Sequence, residues 1–216
     1  MKKPRYPLIV FDWDGTLIDS QAHIIDSMRA AIGDERLEVP PDEAIRHIIG
    51  LSLPVAIGRL LPDMDDKRVQ RIADRYREHF FRDSHRMAEL FPGAAETVRD
   101  LHSRGHYLAV ATGKGRRGLD MALEKTGLGD FFHITRCADE TRSKPHPLML
   151  EEILTDLDLS PEEALMVGDT QYDLEMARNA RMDSLAVTWG MHDRELLQKS
   201  DPTYIIDALS ELPAIV

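Results

Sequence analysis

Two aspartates stand two residues apart directly after a short apolar run near the start of the chain. The run Leu8 to Phe11 leads into Asp12-Trp13-Asp14-Gly15-Thr16. In an open parallel sheet the carboxyl ends of the strands face the ligand crevice, so both carboxylates could share one small site. Such a pair can supply a nucleophile and an acid/base group for phosphoryl transfer. A plain turn is the alternative interpretation, because Asp-Gly is common in turns.

Two further carboxylates follow a later apolar run. Asp169 comes directly after residues 164–168, and Asp173 lies four residues on, where a helix would begin. Carboxylate oxygens suit Mg²⁺, which keeps several waters beside a few such ligands. Four carboxylates that converge without a cation would repel one another. The pattern therefore predicts a divalent metal site, although Asp169 or Thr170 could instead cap a helix.

Polar groups from two other segments could complete an anion site. Lys144 lies in the loop of residues 139–147, and its ammonium group could neutralise a carboxylate and a phosphate together. Thr112 ends a second apolar run, where its hydroxyl and the amides of Gly113 and Lys114 could bind phosphate oxygens at a helix start. An exposed lysine and a simple helix cap are the ordinary interpretations of Lys144 and Thr112.

Six short apolar runs predict the strands that position these residues. Their shortness, their flanking turn residues and their lack of alternation suit buried parallel strands. The runs are 8–11, 107–111, 133–135, 164–167, 184–187 and 204–206. Helical patterns lie between the later runs, and one of these helices would begin at Ser160. Alternating strands and helices predict an α/β fold with a doubly wound, Rossmann-like parallel sheet.

The interval between the first two runs is too long for a simple crossover. Apolar stripes at spacings of three and four residues predict helices there, including one stripe at Ile24 and Met28 and another at Tyr76 and Phe80. We therefore predict a helical cap domain inserted after the first strand. The predicted cap covers residues 19–88, and the predicted catalytic core consists of residues 1–18 and 89–216.

One basic residue of the insert is a candidate for substrate binding. Arg46 lies one helical turn before Gly50, so it could meet an anionic leaving group if this segment faces the site. A solvated surface position is the alternative for Arg46. Residues 20–88 carry 11 basic and 12 acidic side chains, so the insert is close to neutral.

Composition limits the partners and the compartment. The chain of 216 residues has a net charge of −11 at pH 7, and so acidic a surface disfavours nucleic acid. Cys137 is the single cysteine, which excludes an intrachain disulfide and fits a reducing compartment. The first apolar run is too short for a signal peptide or a membrane span. We expect a cytoplasmic monomer that contacts no membrane.

Together the motifs resemble those of the haloacid dehalogenase (HAD) superfamily, in particular its phosphoglycolate-phosphatase-like members with a helical cap after the first motif. The matching segments are Asp12-x-Asp14-Gly15-Thr16-Leu17, Thr112-Gly113-Lys114, Lys144-Pro145 and Gly168-Asp169-x-x-x-Asp173. The resemblance extends from Leu8 to about Gly190. The chain departs from the family pattern at Gly113, where many relatives have asparagine, and at Ser143 and Arg181, where glycine is common.

The resemblance implies an enzyme, a phosphatase that acts on a small phosphorylated metabolite with Mg²⁺ as cofactor; 2-phosphoglycolate and sugar phosphates are candidate substrates. Asp12 matches the nucleophile that forms an aspartyl phosphate, and Asp14 matches the general acid and base. Asp12, the backbone carbonyl of Asp14 and Asp169 match the metal ligands, with Asp173 binding directly or through water. Thr112 and Lys144 match the groups that bind phosphate and neutralise charge.

Several alternatives stay open. A phosphomutase keeps both aspartates of the first motif, and a pyrophosphatase of the same superfamily is also possible. Gly113 to Gly118 fits G-x-G-x-x-G, with Asp139 about 20 residues on, so an NAD-dependent oxidoreductase is a second hypothesis. A receiver-type signalling domain is a third, although such a domain has no use for the insert.

Overall fold

The computed structural model describes residues 4–82 and 89–216. A six-stranded parallel sheet lies at its centre, in the order β3-β2-β1-β4-β5-β6. Its strands are β1 (Leu8–Phe11), β2 (Tyr107–Thr112), β3 (Ile134–Cys137), β4 (Ala164–Gly168), β5 (Asp183–Val187) and β6 (Tyr204–Ile206). The predicted α/β class and all six predicted strands are confirmed. The sheet is doubly wound, because the chain proceeds outward from β1 in both directions.

Helices pack against the sheet and form the insert. Between β1 and β2 lie α1 (Gln21–Asp34), α2 (Asp42–His47), α3 (Leu53–Leu60), α4 (Asp66–Arg82) and α5 (Ala94–Ser103). The later helices are α6 (Arg116–Thr126), α7 (Leu148–Leu157), α8 (Gln171–Asn179) and α9 (Arg194–Lys199). Ser160 begins only a 3₁₀ turn, Pro161–Glu163, because β4 starts at once at Ala164. The helix predicted at Ser160 is therefore wrong.

The central strand β1 is buried on both faces, which explains its continuous apolar run. Ile9 and Phe11 pack in one layer with α5 and α6. Leu8 and Val10 pack in the opposite layer with α7 and α8. Two apolar layers thus hold the carboxyl end of β1 at a fixed place in the sheet, and Asp12 follows directly.

Helices α1 to α4 enclose an apolar cluster, to which Tyr172 of α8 and Met191 after β5 also belong. Met28 and Ile32 of α1 pack with Ile72 and Phe80 of α4. The two segments that join these helices to the sheet run side by side: the Asp19 N–H donates to the Glu89 carbonyl (2.9 Å), and the Phe91 N–H donates to the Leu17 carbonyl (2.9 Å).

The boundaries of the insert, residues 19 and 88, remain predictions. Residues 83–88 at its end lie outside the described residues. Among the described helices, none has both the length and the apolar character that a membrane crossing requires.

Candidate active site

The predicted site residues meet at the carboxyl edge of the sheet. Asp12 follows β1, Asp169 follows β4, and Thr112 ends β2. The strands β1 and β4 are neighbours, and the winding reverses between them. A crevice at such a reversal is where open α/β sheets bind their ligands.

Lys144 is the charged centre of the site. Its Nζ lies 2.9 Å from Asp12 Oδ1 and 2.5 Å from Asp173 Oδ1, and the side chain is fully buried. Burial alone would lower the pKa of Lys144, but the charges of Asp12 and Asp173 outweigh burial and raise it. The ammonium group therefore stays protonated. The interpretation as an ordinary exposed lysine is wrong.

Asp173 is held firmly on its other side as well. Its Oδ2 accepts hydrogen bonds from the Thr170 hydroxyl (2.7 Å) and the Thr170 N–H (3.1 Å), at the start of α8. Both carboxylate oxygens thus already have donors. Gly168 must be a glycine here, because a Cβ at that position would lie 2.3 Å from the Asp173 Cβ.

Asp169 is fixed by two donors from different segments. Its Oδ1 accepts a hydrogen bond from the Thr16 hydroxyl (2.9 Å), and its Oδ2 accepts one from the Met191 N–H (2.7 Å). Gly15 has a φ of 85°, and a Cβ there would lie 2.2 Å from Asp169 Oδ2. Burial, with the negative charges of Asp12 and Asp173, raises the pKa of Asp169.

The two carboxylate oxygens of Asp12 differ in their contacts with the described residues. Oδ1 accepts from the Trp13 N–H (2.7 Å) and contacts Lys144, whereas the buried Oδ2 has no hydrogen-bond partner among the described residues. Burial raises the pKa of Asp12 to about 7, against the opposing effect of Lys144. A buried carboxylate oxygen without a donor is unusual and calls for a cation or a reaction partner.

The acidic cluster fits a divalent cation. One oxygen from each of Asp12, Asp169 and Asp173 lies within 4.8 Å of the others, and all three residues are buried. The free Asp12 Oδ2 and this all-oxygen donor set suit Mg²⁺. Asp173 fits an indirect role through water better, because both of its oxygens are engaged. The Asp14 backbone carbonyl as a ligand stays a prediction.

Asp14 stands apart from the metal cluster and pairs with Lys114. The Lys114 Nζ lies 2.9 Å from Asp14 Oδ1 and 2.8 Å from Oδ2. The hydroxyl of Thr112 accepts the Lys114 N–H (3.2 Å), so Thr112 orders the loop that carries Lys114. The structure thus brings Asp12, Asp14, Thr112 and Lys114 to the same cavity.

This cavity measures about 510 Å³ and lies between the sheet and the insert. Its floor comes from the sheet side and is formed by Asp12, Asp14, Thr112 and Lys114. Its roof comes from α1, α3, α4 and the segment between α2 and α3. The apolar and aromatic side chains there include Ile24, Met28, Ile49, Tyr76 and Phe80, and Ser52, Arg77 and Glu78 also line it. Ile49 belongs to the segment around Gly50 that the sequence predicts to face the site, and it does line the cavity. Ile24, Met28, Tyr76 and Phe80 could not be predicted as site residues, because stripes at helical spacing predict only packing.

Two of the departures from the family pattern touch the insert. A Cβ on Gly113 would lie 2.5 Å from the Gly50 carbonyl oxygen and 2.7 Å from that of Leu51. The Ser143 hydroxyl accepts the Ser52 N–H (2.9 Å). Glycine at 113 and serine at 143 thus allow residues 50–52 to lie directly against the sheet side of the cavity.

Arg46 is not brought to this cavity. It lines a second cavity on the other side of α2, together with His47, Arg59, Tyr172 and His192. Helix α2 ends at His47, whose carbonyl accepts from the Tyr172 hydroxyl (3.0 Å). That contact turns the Arg46 side of α2 away from Asp12 and Asp14, which corrects the expected placement.

The glycine-rich loop of residues 113–118 is engaged in contacts that leave no place for a dinucleotide. Lys114 inside it is paired with Asp14. Asp139, the acidic residue that would bind a ribose, instead accepts the Arg116 N–H (3.0 Å) at the start of α6. Its carboxylate therefore occupies the position at the helix start where a pyrophosphate would bind.

Comparison with known proteins identifies the family. Residues 9–187 match the model of the haloacid dehalogenase-like hydrolases. The chain is 36% identical over 210 residues to the probable phosphatase IndB of Dickeya dadantii, covering 95% of this chain and 91% of that protein. It is 33% identical over 214 residues to pyrophosphatase PpaX of Bacillus cereus, with coverages of 98% and 97%.

A solved structure shares the fold over the whole chain. The crystal structure of a predicted phosphoglycolate phosphatase from Haemophilus somnus aligns with a TM-score of 0.89 at 23% identity and covers 99% of both chains. The chain therefore belongs to the haloacid dehalogenase-like hydrolase family and is an enzyme, as its motifs predicted. The oxidoreductase and receiver-domain hypotheses are wrong.

Proposed function

We propose that this chain is a Mg²⁺-dependent phosphatase that hydrolyses small phosphomonoesters through a phosphorylated Asp12. One observation carries the proposal: Asp12 lines the cavity, its Oδ1 is held by Lys144 and the Trp13 N–H, and its Oδ2 has no protein partner among the described residues. A carboxylate fixed by one oxygen and free at the other is suited to act as a nucleophile.

In the first step, a carboxylate oxygen of Asp12 attacks phosphorus and the bond from phosphorus to the ester oxygen breaks. Asp14, in its protonated form, gives its proton to the departing oxygen, so an alcohol leaves. Lys114, which pairs with Asp14 in the structure, can exchange that carboxylate for phosphoryl oxygens when the ester enters. Thr112 contributes by ordering the loop that presents these donors.

In the second step, the Asp14 carboxylate takes a proton from water, whose oxygen attacks the phosphorus. The bond between phosphorus and Asp12 breaks, its electron pair returns to the carboxylate, and inorganic phosphate is released. Lys144 keeps Asp12 in place throughout, because it also contacts Asp173. Phosphoryl transfer depends mainly on such positioning and charge neutralisation.

Asp12 and Asp169 would hold the Mg²⁺ directly, and Asp173 would hold it through water. When bound, the ion supplies positive charge beside the phosphoryl oxygens. Asp12, Asp14, Asp169 and Asp173 face only the ammonium groups of Lys114 and Lys144 among the described residues, so the cluster retains negative charge that a divalent cation would balance.

The helices inserted after β1 act in this proposal as a cap over the site. Three observations support this role: the apolar cluster formed mainly by these helices, the paired connections at Asp19 and Phe91, and the contact of Ser52 with Ser143. A cap that opens and closes admits a small metabolite and excludes bulk water from the phosphorylated intermediate. We keep residues 19–88 as its proposed extent and propose a cytoplasmic location.

The test is phosphate release from a panel of phosphate esters and pyrophosphate, with Mg²⁺ and with a chelator. Asp12→Asn should abolish turnover and prevent phosphoryl labelling of the protein, which mass spectrometry detects without reference to turnover. Asp183→Asn is the matched control, because Asp183 lies at the opposite end of the sheet and binds Tyr6. Metal-independent release, or labelling that persists in Asp12→Asn, would contradict the proposal.

A pyrophosphatase is the second candidate, because PpaX, a relative over nearly the whole chain, carries that name. The same panel distinguishes the two functions by comparing kcat/KM for pyrophosphate with that for monoesters. A phosphomutase would differ from both, since it would move the phosphoryl group between alcohols without net release of phosphate.

A further inference from the structure

The floor and the roof of the cavity differ sharply in chemistry. The floor holds two carboxylates, a hydroxyl and an ammonium group, whereas the roof is built mainly from apolar and aromatic side chains that include Ile24, Met28, Ile49, Tyr76 and Phe80. The volume of about 510 Å³ falls within the range of pockets that enclose a whole small molecule. A phosphoryl group on the floor would leave the rest of its ester beneath apolar side chains.

The apolar surface starts beside the proton donor. Lys114 Nζ contacts Asp14 and lies 4.8 Å from the centre of the Phe80 ring. The Phe80 ring stacks on Tyr76, with 5.7 Å between the centroids and 25° between the planes. Since the leaving oxygen must approach Asp14 to receive its proton, the carbon atoms attached to it come next to Phe80 and Tyr76.

Among its described residues, the insert contributes four polar side chains to the cavity lining: Ser52, Tyr76, Arg77 and Glu78. Arg77 and Glu78 are exposed and form ion pairs with Asp74 and Arg75, whereas the Tyr76 hydroxyl lies at the apolar part of the roof. No hydrogen bond of the Tyr76 hydroxyl is found within residues 4–82 and 89–216. Burial, together with the negative charge of Asp14, raises the pKa of this phenol, so it stays protonated and can donate a hydrogen bond. These few polar groups beside a larger apolar surface suit a mainly apolar leaving group better than a polyol.

Among the described residues, three cations line the cavity, and only one of them is free of an anionic partner. They are Arg77, Lys114 and Arg117. Arg77 pairs with Asp74 on the outer side of α4 (2.7 Å), and Lys114 pairs with Asp14. Arg117 is exposed at the rim, with its guanidinium 4.3 Å from the centre of the Phe81 ring. With Lys114 bound to Asp14 or to the phosphoryl group, only Arg117 of these three cations, at the rim, would face a second anionic group, so such a group beneath the apolar side chains would be poorly compensated.

We propose that the physiological leaving group is an alcohol with an apolar carbon skeleton, alkyl or aromatic, that lies against Ile24, Tyr76 and Phe80. This inference rests on the proposed phosphatase function and names its substrate class. It disfavours leaving groups that carry a carboxylate, several hydroxyls or a second phosphate. Burial of apolar surface contributes free energy in proportion to the area removed from water, so selectivity should follow the size of the carbon skeleton.

The first experiment measures kcat/KM for ethyl, butyl, hexyl and benzyl phosphate, whose leaving alcohols have similar acidity, against 2-phosphoglycolate, glycerol phosphate and pyrophosphate. We expect a rise of about fourfold for each added methylene until the cavity is full. A flat alkyl series, or pyrophosphate or phosphoglycolate as the best substrate, would overturn the inference and leave the phosphatase function intact. Absence of release from every compound would instead defeat the proposed function.

A matched pair of variants tests the roof itself. Ile24 and Ile25 are neighbours on α1 with equal burial (7% and 8% exposed), but only Ile24 is among the described lining residues. Ile24→Ala should lower the ratio of hexyl to ethyl kcat/KM by about tenfold, and Ile25→Ala should leave that ratio unchanged. The ratio does not depend on the folded fraction of a variant. Equal ratios in both variants would overturn the inference.

A third variant tests the Tyr76 hydroxyl of the roof. Tyr76→Phe removes only the hydroxyl and keeps the ring that stacks on Phe80. It should lower kcat/KM for 2-phenoxyethyl phosphate, whose ether oxygen can accept a hydrogen bond, by about fivefold, and leave that for hexyl phosphate unchanged. An equal loss on both esters would contradict the role assigned to the hydroxyl.

Discussion

The floor and the roof of the cavity are stabilised by different kinds of interaction. On the floor, Lys144 joins Asp12 and Asp173 through short contacts between residues far apart in the chain. The roof is part of an apolar cluster that comes mainly from the insert, where Met28 of α1 packs with Phe80 of α4. Ion pairs in a buried site depend on atomic geometry, whereas apolar packing tolerates changes of shape. Substitutions on the floor should therefore abolish catalysis, and substitutions in the roof should change the preference among substrates.

The largest effect is expected for Lys144→Met. This change leaves the buried carboxylates of Asp12 and Asp173 without their shared ammonium group, and breaking a buried pair in this way costs about 3–5 kcal/mol of stability. Activity should fall by at least about 10²-fold to 10³-fold, because positive charge beside the phosphoryl group is lost. Urea denaturation and kcat measure the two effects.

Lys199→Met is the matched control for Lys144→Met. Lys199 is exposed in the last turn of α9, so its substitution should change stability by no more than about 0.5 kcal/mol. Equal losses of stability in the two lysine variants would show that the buried pairing does not stabilise the floor.

The second-largest effect is expected for Asp14→Asn. This variant separates the two roles of Asp14, which are proton transfer to the leaving group and activation of water. With p-nitrophenyl phosphate, whose leaving group needs no proton, Asp14→Asn should release one equivalent of nitrophenol quickly and then turn over about 10²-fold to 10⁴-fold more slowly than wild type. The phosphorylated protein should accumulate and be visible by mass spectrometry. Hexyl phosphate should give no such burst, because its alkoxide needs the proton.

The double variant Asp12→Asn, Asp14→Asn provides the control for the burst. Without the Asp12 carboxylate, no phosphorylated protein can form, so both the burst and the mass increase should vanish. If Asp14→Asn turns over p-nitrophenyl phosphate as fast as wild type and no labelled protein builds up, Asp14 does not activate the water of the second step.

The floor could be predicted from sequence because its residues stand at ends of short apolar runs. Asp12, Thr112 and Asp169 follow or end strands whose shortness marks them as buried and parallel, and such strand ends meet at one edge. Lys144 lies in a loop, and only the resemblance to a known family distinguished it from an exposed lysine. The hydrogen bonds of Thr16 and Met191 to Asp169 could not be predicted, since they depend on tertiary packing.

The roof could be predicted only as a set of helices. The stripes that contain Met28 and Phe80 do face an apolar cluster, as their spacing predicts. The same side chains also line the cavity. The spacing of apolar residues cannot distinguish packing in an apolar cluster from lining a cavity, because both remove apolar side chains from bulk water. The side of α2 on which Arg46 lies likewise depends on a contact between Tyr172 and the His47 carbonyl, which no local pattern encodes.

A third prediction concerns the contact between the two regions. Gly113→Ala places a Cβ about 2.5 Å from the Gly50 carbonyl oxygen, so the loop of residues 50–52 must move away from the floor. We expect KM for hexyl phosphate to rise by about tenfold and kcat for ethyl phosphate to change by less than about threefold. Steady-state kinetics on the two esters provides the measurement.

Gly33→Ala is the matched control for Gly113→Ala. Gly33 lies in α1, and a Cβ there would meet nothing within 4 Å. Alanine in a helix is favoured over glycine by about 0.5–1 kcal/mol, so this variant should be slightly more stable and kinetically unchanged. If Gly113→Ala also leaves both kinetic parameters unchanged, the contact at Gly50 does not position the roof.

The smallest effect is expected for Arg46→Ala, which tests whether the placement of the insert in the structure also holds with substrate bound. Arg46 lines the second cavity and not the roof, so KM for hexyl phosphate and for 2-phosphoglycolate should each change by less than about twofold, as is usual for surface positions. Ile24→Ala, measured beside it, should change the preference between esters. A rise in KM in Arg46→Ala confined to phosphoglycolate would contradict this placement. It would mean that the insert reorients when an anionic leaving group binds, and that the roof then includes Arg46.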